Sequence, residues 1–282
     1  MRSSRSSKQP TAASHTVALT IAGFDPSGGA GVTADLAVFA AHGLYGTAAI
    51  TALTVQSTLG VAAIQPVDAA WLLETVQHIS ADLPASGVKI GMLATDAIIR
   101  TVANLLRLAP SRVPVVLDPV LKSSSGRELL RPPALRVLHN ELLPLVSWIT
   151  PNWDELAALT GLKVQSLEQA HRAADALGQL HPALHIVATG GDQKEPIDLL
   201  RVPGGAVRPF RGRHIETTST HGTGCAFSSA LLSQLIDGEP PGTAVSHAKA
   251  YVAEALRRAP GIGHGRGPLD LLWTLRSSRP HT

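Results

Sequence analysis

From residue 17 onward the chain alternates short apolar runs with longer segments of helical periodicity, and that alternation leaves few folds open. The runs Val17–Ala22, Gly46–Thr51, Val88–Ile90, Val113–Leu117, Trp148–Thr150 and Leu184–Ala188 are largely apolar or β-branched, as expected of strands covered on both faces. Between them, Val32, Leu36 and Phe39 fall at i, i+4 and i+7, and Leu72, Val76 and Ile79 repeat the spacing. A repeating β–α order implies an α/β fold with a mainly parallel central sheet, right-handed crossovers and helices on both faces. Ile197–Arg201 and Ala206–Arg211, separated by Pro203-Gly204-Gly205, read as a hairpin added late. In open sheets of this kind ligands gather at the carboxyl ends of the strands. The loops that follow the strands are therefore where chemistry is expected.

No internal repeat and no Pro/Gly-rich linker interrupts the pattern, so residues 17–282 are expected to form one domain. Residues 1–16 lack acids and an apolar core and read as a disordered extension rather than a secretory signal. Apolar residues make up 44% of the chain, enough for a large core, while aromatics at 4% argue against a nucleic-acid stacking surface. The net charge of +3 owes much to Arg2, Arg5 and Lys8 and suits anionic small molecules better than DNA. A single cysteine excludes an intramolecular disulfide and fits a reducing compartment, hence the cytoplasm. No run approaches the ~20 apolar residues of a membrane helix, so no membrane partner is expected. None of the twelve histidines has zinc-enzyme spacing.

Three kinds of loop carry candidate chemistry. The cysteine lies in Thr220-His221-Gly222-Thr223-Gly224-Cys225, directly ahead of the apolar run Ala226 to Ile236. Small residues opening a helix leave free N–H groups at its positive end, a site for an anion such as phosphate. The same field should lower the Cys225 pKa towards thiolate, although a small buried hydrophobe opening a core helix would have the same sequence. Gly23-Phe24-Asp25-Pro26-Ser27-Gly28-Gly29-Ala30-Gly31 is a second Gly-rich strand-to-helix turn, but neither Walker A nor a dinucleotide fingerprint. Asp35 on the following helix either favours the helix dipole or faces a ligand's polar edge. The third kind places polar residues at strand ends. Asp118 precedes Lys122-Ser123-Ser124-Ser125-Gly126, and Thr189-Gly190-Gly191-Asp192 follows another strand. In Asn152-Trp153-Asp154-Glu155 the spacing is that of a capping box, and the same pair suits water-rich Mg²⁺ coordination. His221 reads equally as a base or a scaffold residue.

In this order the segments resemble the hydroxymethylpyrimidine/phosphomethylpyrimidine kinases of thiamine biosynthesis, a ribokinase-like family. The resemblance runs from Val17 to Leu272 and is most specific at 19–31, 50–58, 88–94, 149–152 and 220–225, with Gly263-His264-Gly265-Arg266-Gly267-Pro268 in support. It implies a ribokinase-like fold, ATP as co-substrate, Mg²⁺, an aminopyrimidine substrate and a homodimer. By the same resemblance Gly23, Asp35 and Gln56 bind the pyrimidine, a Gln amide offering both donor and acceptor to a ring edge. Gly222, Thr223, Gly224 and Cys225 form the anion hole, with Cys225 beside the attacking hydroxyl as base. Asn152 and Glu155 serve the metal, Asp118 lies near metal or phosphates, and Thr189, Gly190 and Gly191 contact ATP. The chain departs from the usual family pattern at Ser57, Thr189 and Lys122-Ser123-Ser124. A pyridoxine or pyridoxal kinase, dual-specific or otherwise, is the alternative on the same fold and typically has Asp where Cys225 stands; a silent pyrimidine sensor is the alternative outside catalysis.

Overall fold

The computed structural model describes residues 16–109, 113–123, 125–191, 193 and 195–277. The extension expected at 1–16 lies outside these apart from Thr16, as do Ser124 and Asp192 of the two polar loops. A nine-stranded sheet forms the middle layer. In chain order its strands are β1 (Val17–Phe24), β2 (Tyr45–Ser57), β3 (Gly60–Pro66), β4 (Gly87–Ile90), β5 (Val115–Leu117), β6 (Trp148–Ile149), β7 (His185–Ala188), β8 (Ile197–Arg201) and β9 (Arg208–Arg211). Their spatial order is β3-β2-β1-β4-β5-β6-β7-β8-β9. Neighbours from β2 through β7 run parallel, while β3, β8 and β9 pair antiparallel at the two edges.

The apolar runs are explained by the two cores they serve. Along β1, Ala18 packs on one face while Leu19 and Ile21 pack on the other, and Val116 and Val187 likewise oppose Leu117 and Ile186. Both sides of the pleat are buried, so alternation between polar and apolar positions disappears. One face is covered by α1 (Gly31–Ala41), α7 (Thr223–Ile236), α8 (Pro241–Arg257) and α9 (Trp273–Ser277), through Val38, Phe39, Leu231, Val245, Tyr251 and Trp273. The other is covered by α2 (Ala69–Asp82), α3 (Asp96–Leu108), α4 (Pro132–Val137), α5 (Trp153–Thr160) and α6 (Leu167–Leu180), through Leu72, Ile98, Val102, Leu156 and Leu177.

The strands read from the sequence are present, with ends shifted by up to two residues for most of them. β2 differs more. It runs on to Ser57 and turns through Thr58 and Leu59 into β3, an edge strand absent from the sequence reading. β3 is Gly-Val-Ala-Ala-Ile-Gln-Pro with no fully buried residue; its apolar run Val61–Ile64 is short, half alanine and closed by Gln65-Pro66, and its turn lacks an Asn-Gly or Asp-Gly signal. The chain leaves β1 towards β2 on one side and returns to β4 on the other. That reversal opens a crevice above the carboxyl ends of β1 and β4. No helix among the described residues is long and apolar enough to cross a membrane.

Candidate active site

Four helices in this fold start with a side-chain cap: Asp68 on α2, Thr95 on α3, Asn152 on α5 and Ser166 on α6. α1, α4, α7 and α8 do not, and of these α1 and α7 open onto the crevice. α1 starts after Ala30 and α7 after Gly222, neither with a side-chain cap. The first N–H of α7 to find a helical carbonyl is that of Ala226, on Gly222, which leaves the N–H groups of Thr223, Gly224 and Cys225 at the positive end of the helix. The two Gly-rich turns fit into each other. Gly222 has φ +84°, and a Cβ there would lie 1.8 Å from the Gly29 carbonyl oxygen. A Cβ on Gly29 would lie 2.4 Å from the His221 ring. These glycines are required by contact as well as conformation.

Beneath this floor lies a buried cluster of charge. Lys89, the one polar break in β4, is wholly buried, with Nζ 3.0 Å from Asp35 on α1. Asp35 also accepts hydrogen bonds from Thr20 Oγ1 at 2.6 Å and Ser229 Oγ at 2.8 Å, and it is 0% exposed. The expectation that Asp35 meets a ring edge directly is corrected: its carboxylate is enclosed by protein donors. Burial presses the Lys89 pKa down, but the carboxylates of Asp35 and Asp118 and the Cys225 sulfur around it outweigh that and raise it.

Cys225 requires a second correction. The residue is half-buried, yet its thiol sits against this cluster and its pKa is pushed up to about 12. Burial is the largest cause, and the nearby Asp118 and Asp35 add to it; Lys89 and a hydrogen bond from the Gly31 N–H only partly oppose it. The helix dipole loses to desolvation, and the thiol keeps its proton at neutral pH.

At the ends of β5 and β6, Asp118 and Glu155 form a second pair of buried carboxyls. Asp118 accepts a hydrogen bond from Ser228 Oγ at 3.3 Å, and a Cβ on Gly224 would lie 3.6 Å from it, so it adjoins the α7 N-terminus. Its pKa is raised by burial above all, against Lys89. The capping box at α5 is real: Asn152 Oδ1 accepts from the Glu155 N–H at 2.9 Å, and Glu155 Oε2 accepts from the Asn152 N–H at 2.9 Å. Burial, then the Asp118 charge, pushes Glu155 up to about 8. Two buried carboxyls, one of them raised in part by the other's charge, could hold a divalent cation. Among the described residues no group of three or more His, Cys, Asp or Glu is placed to hold a metal. Asp118 and Glu155 are the residues that could hold Mg²⁺, an ion that takes one or two carboxylates and completes its shell with phosphate and water.

After β7, Thr189 and Gly190 continue beside Asn152, the Thr189 N–H donating to Pro151 O at 2.8 Å. Gly190 N–H donates to Asp198 Oδ1 on β8 at 2.9 Å, and Lys249 of α8 is paired with the same carboxylate. Asp198 and Lys249 fix this turn and were missed in the sequence, where each looks like an ordinary surface charge. Gly191 is exposed, with open space around its Cα.

The crevice continues into a cavity of about 220 Å³ bounded by Gln56, Ser57–Val61, Ser123, Ser125, His221 and Gly265-Arg266. Near the carboxyl end of β1, a Cβ on Gly23 would lie 3.0 Å from Met92 Sδ. His221 is buried, 2.7 Å from Asp25 Oδ2 and 3.0 Å from the Gln56 amide, so it is built into the wall. Asp25 stays ionised: burial raises its pKa, but hydrogen bonds from His221 and Ser27 lower it further than that. The structure thus brings Gly222–Cys225, Asp118, Glu155, Gln56 and Gly23 around one crevice. It puts Asp35 under the floor.

The family model described as phosphomethylpyrimidine kinase matches residues 25–270. A hydroxymethylpyrimidine/phosphomethylpyrimidine kinase of Rhizobium meliloti (strain 1021) is 42% identical over 258 residues, 90% of this chain and 96% of the relative. The crystal structure of a phosphomethylpyrimidine kinase from Clostridium difficile 630 superposes with a TM-score of 0.75 at 35% identity, covering 85% of this chain and 99% of that one. The pyridoxal kinase of Staphylococcus aureus in complex with AMP-PCP and pyridoxal superposes with a TM-score of 0.82 at 30% identity, covering 92% and 94%.

Proposed function

Because the chain belongs to the phosphomethylpyrimidine kinase family, we propose that it transfers the γ-phosphoryl group of ATP to the hydroxymethyl oxygen of 4-amino-5-hydroxymethyl-2-methylpyrimidine, and then to the monophosphate, in thiamine biosynthesis. The fold is ribokinase-like. The observation that carries the proposal is the meeting of an uncapped helix N-terminus, Gly222–Cys225, with the carboxyls of Asp118 and Glu155 beside the Gln56 cavity.

In this reading the N–H groups of Thr223, Gly224 and Cys225 hold the equatorial oxygens of the phosphoryl group in flight, where charge is spread and fixed donors are worth most. Lys89 supplies buried positive charge behind them. Asp118 and Glu155, with the Asn152 turn, would hold Mg²⁺, which when bound would draw charge off the phosphates. Thr189, Gly190 and Gly191 line the nucleotide's phosphates. Gly23 and Gln56 receive the ring, and Asp35 acts through Lys89 and Ser229 rather than by touching it.

A thiol held near 12 is a poor base for an alcohol. Loose phosphoryl transfer asks little of one, since positioning and charge neutralisation supply most of the rate. The alcohol proton then leaves late, after the new O–P bond has formed and the bond to ADP has broken, to an oxygen of the transferred phosphoryl group or to water, and Cys225 serves as a polar neighbour of the attacking oxygen. In the second step the nucleophile is a phosphate oxygen and needs no base.

Residues 17–282 are read as one kinase domain acting in the cytoplasm as a homodimer. Exposed Leu53, Val55 and Leu59 on the β2–β3 edge support that association. A second substrate, pyridoxal, is favoured by the likeness to the pyridoxal kinase solved with it. ADP release measured with the pyrimidine alcohol, with pyridoxal and with neither tests the reading. Release that depends on the pyrimidine supports a kinase; none with any addition supports a sensor.

A further inference from the structure

The geometry in the wall of the cavity fixes where its protons lie. His221 Nε2 lies 2.7 Å from Asp25 Oδ2 and 3.0 Å from the nitrogen position of the Gln56 amide. Asp25 is ionised and already accepts from the Ser27 N–H and Oγ–H on Oδ1 and from the Ala30 N–H on Oδ2. Having no proton to give, it requires His221 Nε2 to be the donor. An N–H of Gln56 would then face an N–H of His221. On the other side of the amide, Thr54 Oγ1 lies 2.9 Å from the Phe24 carbonyl and 3.2 Å from the oxygen position of Gln56. The hydroxyl has one hydrogen, and the carbonyl, which can only accept, takes it at the shorter distance. The hydroxyl is thus an acceptor towards Gln56. Amide nitrogen and oxygen are told apart by their partners, and a half turn of the amide removes the clash: a Gln56 N–H then donates to Thr54 Oγ1, and the Gln56 oxygen shares, at 3.0 Å, the single Nε2–H that Asp25 accepts at 2.7 Å.

We propose that Asp25 and His221 form a positioning pair that fixes the Gln56 amide with its oxygen towards His221 and its nitrogen towards Thr54, and so fixes which way an aminopyrimidine lies in the cavity. The last part rests on the ring-binding role proposed above for Gln56. Each amide atom keeps one hydrogen-bonding position beyond these partners: an N–H that can donate to a ring nitrogen and a lone pair that can accept from an exocyclic amine. A free amide would offer the two in either order; this one offers them in a set order. Gly29 leaves room for the His221 ring, since any side chain there would strike it.

The direct test is the tautomer of His221 in ¹⁵N-histidine-labelled protein without substrate, its resonances assigned by their loss in His221→Gln. Nε2 protonated is the expected result; a bare Nε2 overturns the proposal whatever the substrate proves to be. The functional test is kinetic. Asp25→Asn should raise the KM for the pyrimidine alcohol about tenfold and leave the KM for ATP within twofold. Should Asp25→Asn not fold, Thr54→Val serves, since it removes the acceptor of the amide nitrogen, and Thr54→Ser should recover most of the loss. A rise in both KM values, or no recovery by Thr54→Ser, contradicts a positioning role. Failure of the functional reading itself would show differently, as no turnover of the pyrimidine by the wild type with the tautomer unchanged.

Discussion

Lys89 Nζ lies 3.0 Å from the Asp35 carboxylate, with both side chains wholly out of solvent. A pair this deep stabilises little as a pair, but removing one partner leaves a buried charge uncompensated. Asp35→Ala should therefore cost about 3–5 kcal/mol of stability, read by urea unfolding. Gln56→Ala should leave stability within about 0.5 kcal/mol and weaken pyrimidine binding instead, by about 1–3 kcal/mol. A stable Asp35→Ala enzyme with only its pyrimidine KM raised would restore Asp35 to direct ring contact.

Cys225 is expected to show no titration in the working range. Burial against Asp118 and Asp35 holds the thiol up to about 12, so the rate of the first phosphorylation should not follow a thiol between pH 6 and 9. Cys225→Ala should slow that step by less than about tenfold, against the roughly 10²–10⁴ that loss of a general base removes. Single-turnover rates across pH in both proteins check this.

Glu155 gives a pH dependence of stability. Its ordinary value is 4.5, and in the fold it stands at about 8. The folded state thus holds a proton that the unfolded state has lost, and stability falls as pH rises from about 4.5 to about 8. Without Mg²⁺, the melting temperature of the wild type should decline across that interval more than that of Glu155→Gln, in which Gln keeps the cap. Added Mg²⁺ with nucleotide should flatten the wild-type curve. Parallel curves in the two proteins would remove Glu155 from the site.

Gly222→Ala should damage both phosphorylations together. At φ +84° a Cβ lies 1.8 Å from the Gly29 carbonyl, so the turn must shift and the donors of α7 move with it. A loss of about 10²–10³ in each step is expected, comparable to removing an oxyanion-hole donor. A loss confined to one step would separate the anion hole from one of the two reactions.

What the sequence revealed and concealed follows from the range of the interactions involved. The parallel strands β1, β4, β5, β6 and β7 and the first half of β2 were legible because the sheet is covered on both faces there, which writes apolar runs directly into the chain. The α7 turn and the Asn152-Glu155 cap were legible because they are local. β3 was hidden because its run Val61–Ile64 is short, leaves Ala62 and Ala63 exposed at the sheet edge, and ends in Gln65-Pro66. Pairings between distant residues were hidden too: Asp25 with His221, Lys89 with Asp35, and Asp198 with Gly190 depend on strands and helices meeting. The Cys225 pKa was misread for the same reason. Helix position is visible in a sequence, but the burial and neighbouring carboxylates that overrule it are not.

The most direct measurement is mass detection of the products formed from 4-amino-5-hydroxymethyl-2-methylpyrimidine with ATP and Mg²⁺, run beside pyridoxal. The account predicts the pyrimidine monophosphate first and the diphosphate after it, both lost in Gly222→Ala. Pyridoxal phosphate as the sole product, with the pyrimidine returned unchanged, would contradict it.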